Sequence, residues 1–265
     1  MRRVTLEIGG MAVGIEYDLE SYGAVLRDKY GGYFSENAPG FSIKARVVPG
    51  FKTGCPNLPD PAVRRPDGAY DLLWYDLKGV FDPAARTATV TVSDSELSVN
   101  SVMRMLYSFY VRPMHGLLLH AASFVRNGDA YVFPGVSTAG KTTLSELTLA
   151  SRPECELLTD EISIVRLLGG RWTAFGTPFW GNLRIGGRNV SAPVHRICFI
   201  EKAAGHEVAT IDRREAFRRL MQNALFLVKD RVSAQETMDL AVEIAAAVDS
   251  CVLQFRKDAG FWEII

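Results

Sequence analysis

Residues 4–8 and 11–17 alternate apolar with polar side chains on either side of Gly9-Gly10, a pattern that predicts a β-hairpin. Leu19, Tyr22, Val25, Leu26 and Tyr30 then recur at helical spacing and predict a helix over 19–30, stopped by Gly31-Gly32. Stretches 41–48, 70–77 and 88–93 read as strands, and the Pro-, Gly- and charge-rich stretch 49–68 as an irregular loop. From 98 to 110 the apolar positions Val102, Met103, Leu106, Tyr107 and Tyr110 return to one helical face, and that helix must end before Pro113. The break suggests a small α+β domain over 1–112 and a second domain over 113–265.

The second half opens on apolar runs 117–125 and 130–134 separated by Arg126-Asn127-Gly128-Asp129. Asn-Gly is a strong two-residue hairpin signal, so these strands are expected to pair antiparallel. Counting outward from the turn, 126 faces 129 and His120 faces Gly135. A helix follows with Leu144, Leu147 and Leu149, then a short strand 156–159 that delivers Asp160-Glu161. Runs 162–168 and 171–175 flank Gly169-Gly170 as a further hairpin. Residues 176–192 form a long Gly-containing stretch with Pro178, Trp180, Arg184 and Arg188. It reads as a charged surface loop of a kind that in other proteins moves over a bound substrate. Strands 195–201 and 207–211, helices 213–226 and 233–248, and a strand 251–256 complete the expected order.

Between the strand ending at Pro134 and the helix lies Gly135-Val136-Ser137-Thr138-Ala139-Gly140-Lys141-Thr142, the pattern G-x-x-x-x-G-K-T. Strand, glycine-rich turn and helix are the context in which this pattern cradles phosphates. Backbone N–H groups from Gly135 through Gly140, including Ser137, Thr138 and Ala139, face the anion, and Thr142 and Thr143 open the helix behind them. Lys141 supplies charge to the β- and γ-phosphates, and the Thr142 hydroxyl suits Mg²⁺. The expected ligand is a nucleoside triphosphate, ATP with GTP as the other choice.

Composition narrows the remaining classes. Apolar residues make up 48% and charged residues 23%, near the averages of folded domains. Lys+Arg and Asp+Glu both number 30, so no global basic field favours nucleic acid. Cys55, Cys155, Cys198 and Cys251 are scattered without ligand spacing and are expected to be reduced, buried thiols. Glu7, Glu16 and Asp18 interrupt any signal-like run behind Met1-Arg2-Arg3, and no apolar run reaches the ~20 residues of a membrane helix. A cytoplasmic protein without nucleic-acid or membrane partners is expected.

His120, a hairpin, the 135–142 loop, a helix and the acidic pair Asp160-Glu161, in that order, resemble the HPr kinase/phosphorylase-like group. That group shares its nucleotide-binding fold with phosphoenolpyruvate carboxykinases. The resemblance covers residues 113–212 and extends to Gly176-Thr177-Pro178-Phe179-Trp180-Gly181 and Phe261-Trp262-Glu263. It implies a mixed α/β fold with a P-loop core entered by an antiparallel hairpin. It also implies that Asp160 acts as base toward the acceptor hydroxyl and that Glu161, with Thr142, binds Mg²⁺. HPr kinases carry Asp where this chain has Glu161, the stretch after the loop is longer here, and their signature region and C-terminal cap are not recognisable. These departures argue against HPr as the acceptor. The expected activity is ATP·Mg²⁺-dependent phosphorylation of a hydroxyl on a protein serine or a small molecule, with Asp160, His120 and Lys141 as catalytic residues. The rival from another class is a nucleotide-binding accessory protein that transfers nothing. Carboxykinase chemistry is weaker, since no dicarboxylate pocket or further metal-binding Lys/His set can be placed. Members of the group form hexamers, so a homo-oligomer is compatible with the resemblance. Arg196 stands as a weak phosphate-clamp candidate, and the arginines of 213–219 as a solvated helix face.

Overall fold

The structure is a computed structural model that describes residues 1–54 and 60–265, so the expectation for Cys55 lies outside the described residues. The chain is mixed α/β and divides into two compact units. One is Met1–Tyr110 with Phe226–Ala234, and the other is Val111–Leu225 with Gln235–Ile265.

In the first unit, β1 (Arg2–Ile8) and β2 (Met11–Tyr17) form the expected hairpin, and α1 (Glu20–Tyr30) follows. β3 (Phe41–Val47), β4 (Ala62–Arg64), β5 (Tyr70–Trp74), β6 (Leu77–Asp82) and β7 (Thr87–Val92) lead to α2 (Glu96–Tyr110). The sheet runs β1-β2-β3-β7-β6-β5-β4. Two expectations change here. The run 70–77 is two strands, because Tyr75-Asp76 turns the chain and lets Leu77–Asp82 pair back along β5. Within the loop expected over 49–68, residues 62–64 form β4 on the β5 edge. An apolar run shows burial, not where within it the chain reverses. The stretch Phe226–Ala234 joins this unit through Asp230, whose Oδ2 accepts a hydrogen bond from the Tyr70 hydroxyl at 2.8 Å.

The second unit opens with β8 (Gly116–Arg126), β9 (Asp129–Pro134) and α3 (Lys141–Ser151). It continues through β10 (Cys155–Thr159), β11 (Ile162–Leu168), β12 (Arg171–Phe175) and β13 (Ser191–Lys202). β14 (Glu207–Thr210), α4 (Arg213–Asn223), α5 (Arg231–Ala247) and β15 (Ser250–Phe255) follow, with a last 3₁₀ turn at Ala259–Glu263. β8 and β9 pair antiparallel with Arg126 opposite Asp129 and Ala121 opposite Pro134, the expected register. β9 is flanked by β8 on one side and, in parallel, by β13 on the other. β13 pairs in parallel with β15 as well. The pairings β8–β11–β12–β13–β9 return to β8, so the sheet curls on itself.

Two differences from the expected elements share a cause. β13 begins at Ser191, because residues 191–193 take up β12 as a partner. α4 stops at Asn223, because Ala224 bridges Leu119 and the Leu225 N–H donates to Leu118 O. In both places tertiary pairing overrides the local pattern.

Alternation sorts the core onto two faces. Leu119, Ala121, Val132, Ile197 and Phe199 pack with α4 and α5 residues such as Leu220 and Ile244. Ala122, Phe124, Phe133, Cys198 and Ile200 pack with Leu144 of α3 and with Phe261 and Trp262 of the last turn. Cys155, Cys198 and Cys251 are free and buried. Among the described residues no helix is long and apolar enough to cross a membrane.

Candidate phosphate-binding site

The glycine-rich loop lies between β9 and α3, where the period-two pattern gives way to a helix. The Gly135 N–H donates to His120 O at 3.3 Å, carrying the hairpin ladder one step past Pro134. Val136, Ser137 and Thr138 are exposed at the tip, and Ala139 and Gly140 are half-buried. Gly140 closes the loop at φ 116°, and a Cβ there would lie 3.0 Å from the Phe255 ring. Only glycine meets both demands.

Lys141, the first residue of α3, is buried and folds back over the loop. Its Nζ donates to Gly135 O at 2.7 Å and stands 3.4 Å from His120 Nδ1. Burial pulls the Lys141 ammonium below the usual lysine range, and the carboxylates of Glu161 and Asp160 partly offset that. Thr142 and Thr143 sit half-buried in the first turn behind it.

Asp160-Glu161 occupy the tight connection between β10 and β11. Thr159 fixes it: its Oγ1 accepts from the Glu161 and Ile162 N–H groups at 3.2 and 3.3 Å and donates to Phe179 O at 3.0 Å. Glu161 Oε1 lies 3.6 Å from His120 Nε2, with both side chains 27% exposed. Lys141, His120 and Glu161 therefore meet at one side of the loop mouth. Asp160 sits behind them, only 2% exposed. Its Oδ1 accepts from the Gly181 N–H at 3.0 Å and its Oδ2 from the Leu183 N–H at 3.4 Å. Burial raises its carboxyl above the usual range, against the pull of those two donors.

Residues 176–190 are fastened along their base. The Thr177 N–H and hydroxyl donate to Leu158 O and Ile162 O at 2.9 and 2.8 Å, and the Arg188 N–H to Leu157 O at 3.1 Å. Gly187 passes so close that a Cβ would lie 1.6 Å from Leu158 O. Arg188 pairs with Glu156 at 2.9 Å, and Arg184 is exposed. Arg196 lines a different pocket of about 430 Å³ with Arg213 and Asp249. Glu215 is engaged by Arg218 and Arg219, as expected of a solvated face.

Sequence reasoning missed the amides of Gly181 and Leu183 and, on the opposite flank of the loop, Lys202. No local pattern marks either.

The Thr142 hydroxyl and the Glu161 carboxylate are hard oxygen donors of the kind Mg²⁺ takes, usually one or two from protein with the rest from phosphate and water. They fit that ion. Among the described residues no group of three or more His, Cys, Asp or Glu forms a metal cage, so phosphate and water oxygens would have to complete the shell.

A family model described as SynChlorMet cassette protein ScmC matches residues 89–265, which is more than half of the chain and takes in the whole of this site. The chain belongs to the ScmC family. The match begins within β7 and so covers all of the second unit as well as α2. No curated protein matches the chain.

Proposed function

We propose that the second unit binds a nucleoside triphosphate with Mg²⁺ and transfers its terminal phosphoryl group to a hydroxyl, on a protein serine or a small molecule. The observation that carries this reading is the meeting of Lys141, His120 and Glu161 at the mouth of a glycine-rich strand-to-helix loop. The order of these residues also resembles HPr kinases and their P-loop core. The α3 N-terminus and the loop N–H groups neutralise phosphate charge, apart from those of Gly135 and Ala139, which donate to His120 O and Val136 O. Lys141 exchanges its contact with Gly135 O for the β- and γ-phosphates, regaining in charge pairing what burial costs it. Thr142 and Glu161 would hold Mg²⁺, which supplies further charge neutralisation at the transferring group. His120, released from Lys141, faces the acceptor side with an imidazole nitrogen free to take a hydrogen bond. Asp160 shapes the site through residues 181–183 and, being 2% exposed, reaches an acceptor hydroxyl only if those residues shift to uncover it.

The burial of Asp160 behind residues 181–183 favours a second reading, nucleotide binding without transfer. Calorimetric titration with ATP, GTP and a non-hydrolysable analogue, with and without Mg²⁺, tests the binding. Mg²⁺-dependent affinity lost in Lys141→Ala is expected, and equal affinity in that variant would remove the loop from the function. Label transfer from γ-labelled ATP to a supplied acceptor then separates kinase from binding protein.

A further inference from the structure

The loop emerges from β9 between two unlike neighbours. On the β8 flank stand His120 and, beside it, Glu161 with Asp160 behind. On the β13 flank stands Lys202, the last residue of that strand, opposite Phe255 of β15. Lys202 is exposed, and it has no hydrogen-bond or ion-pair partner among the described residues. Its Cε lies 3.8 Å from the position a Cβ would take on Gly140. The buried Phe255 ring lies 3.0 Å from the same position, so ring and lysine stem both pack against this end of the loop. Lys141 is occupied inside the loop, so Lys202 is a second cation beside the same phosphate cradle, on the side away from the carboxylates.

We propose that Lys202 binds the α-phosphate end of the nucleotide and so sets the direction in which the polyphosphate lies across the loop. The inference rests on the nucleotide reading above. A triphosphate laid over the loop meets carboxylates at one end and an ammonium at the other. Coulomb attraction would place the terminal phosphate, with the Mg²⁺ that Glu161 would hold, on the carboxylate side and the α-phosphate beside Lys202. Reversal would set Lys202 against the transferring group and the bare α-phosphate against two carboxylates. A lone exposed lysine adds a modest, salt-sensitive amount to affinity.

The test is calorimetric titration of Mg·ADP and Mg·ATP into the wild type, Lys202→Ala, Lys202→Arg and Lys141→Ala, with melting temperatures recorded for each. Lys202→Ala is expected to weaken ADP and ATP by the same factor, roughly five- to tenfold at low salt. Lys202→Arg is expected to restore most of the loss, and melting temperatures should not change. Unaltered affinities in Lys202→Ala, with wild-type binding intact, would overturn this assignment alone. A loss confined to ATP would put Lys202 at the γ-phosphate and overturn the proposed direction. Absence of binding by the wild type would overturn both this and the nucleotide reading.

Discussion

Trp262 donates its indole N–H to the Thr148 hydroxyl at 2.9 Å, tying the last turn of the chain to the helix that carries Lys141. Both residues are buried, and the Thr148 hydroxyl in turn donates to Leu144 O at 2.8 Å. Arg152, just past the end of α3, adds an ion pair to Glu263, and Arg126 Nη1 donates to Trp262 O at 2.8 Å. The glycine-rich loop is therefore held from behind by a segment more than a hundred residues further along. Thr148→Val keeps the shape and leaves the indole N–H buried without a partner, at a cost of about 1–3 kcal/mol. Thermal unfolding should show a melting temperature lower by several degrees, while nucleotide affinity in the folded protein changes little. An unchanged melting temperature would mean that the last turn does not support α3.

Lys141 is held where burial disfavours its charge. A group whose folded pKa is lowered makes the charged protein less stable below that value, and the cost is relieved as pH rises toward the ordinary lysine range. Lys141→Met keeps the aliphatic stem and removes the ammonium. The nucleotide-free variant is expected to melt roughly 1–3 °C higher than the wild type while losing nucleotide affinity. A lower melting temperature would show instead that the bond to Gly135 O outweighs the desolvation.

Asp160 supplies a pH dependence of defined sign. Its folded pKa is raised above 3.8, first by burial, with the Gly181 and Leu183 N–H groups opposing. The folded protein then holds this proton more tightly than the unfolded chain does. Its contribution to stability is present below about 3.8 and is lost as pH rises through the raised value. Melting temperatures of wild type and Asp160→Asn, compared from pH ~3.5 to ~7, isolate the group. The wild type should lose ground against the variant as pH rises through that window. A parallel pair of curves would mean that Asp160 ionises as it does in the unfolded chain.

The mixed α/β class, the place of the glycine-rich loop between strand and helix, and the pairing that brings His120 beside it were legible in the residues alone. These are local properties. A two-residue Asn-Gly turn leaves one register available, and counting along it brings His120 to Gly135, the pairing that the Gly135 N–H completes. The surroundings of that loop depend on contacts distant in sequence. Asp160 and Glu161 are adjacent in sequence, yet one is enclosed by the amides of Gly181 and Leu183 and the other faces His120. Lys202 reaches Gly140 because β13 lies parallel to β9, and Phe226–Ala234 leaves the second unit for the first. A period of two tells which side chains share a face of a strand. It does not tell which strands are neighbours, because parallel pairing is made across long connections whose closure no local residue records.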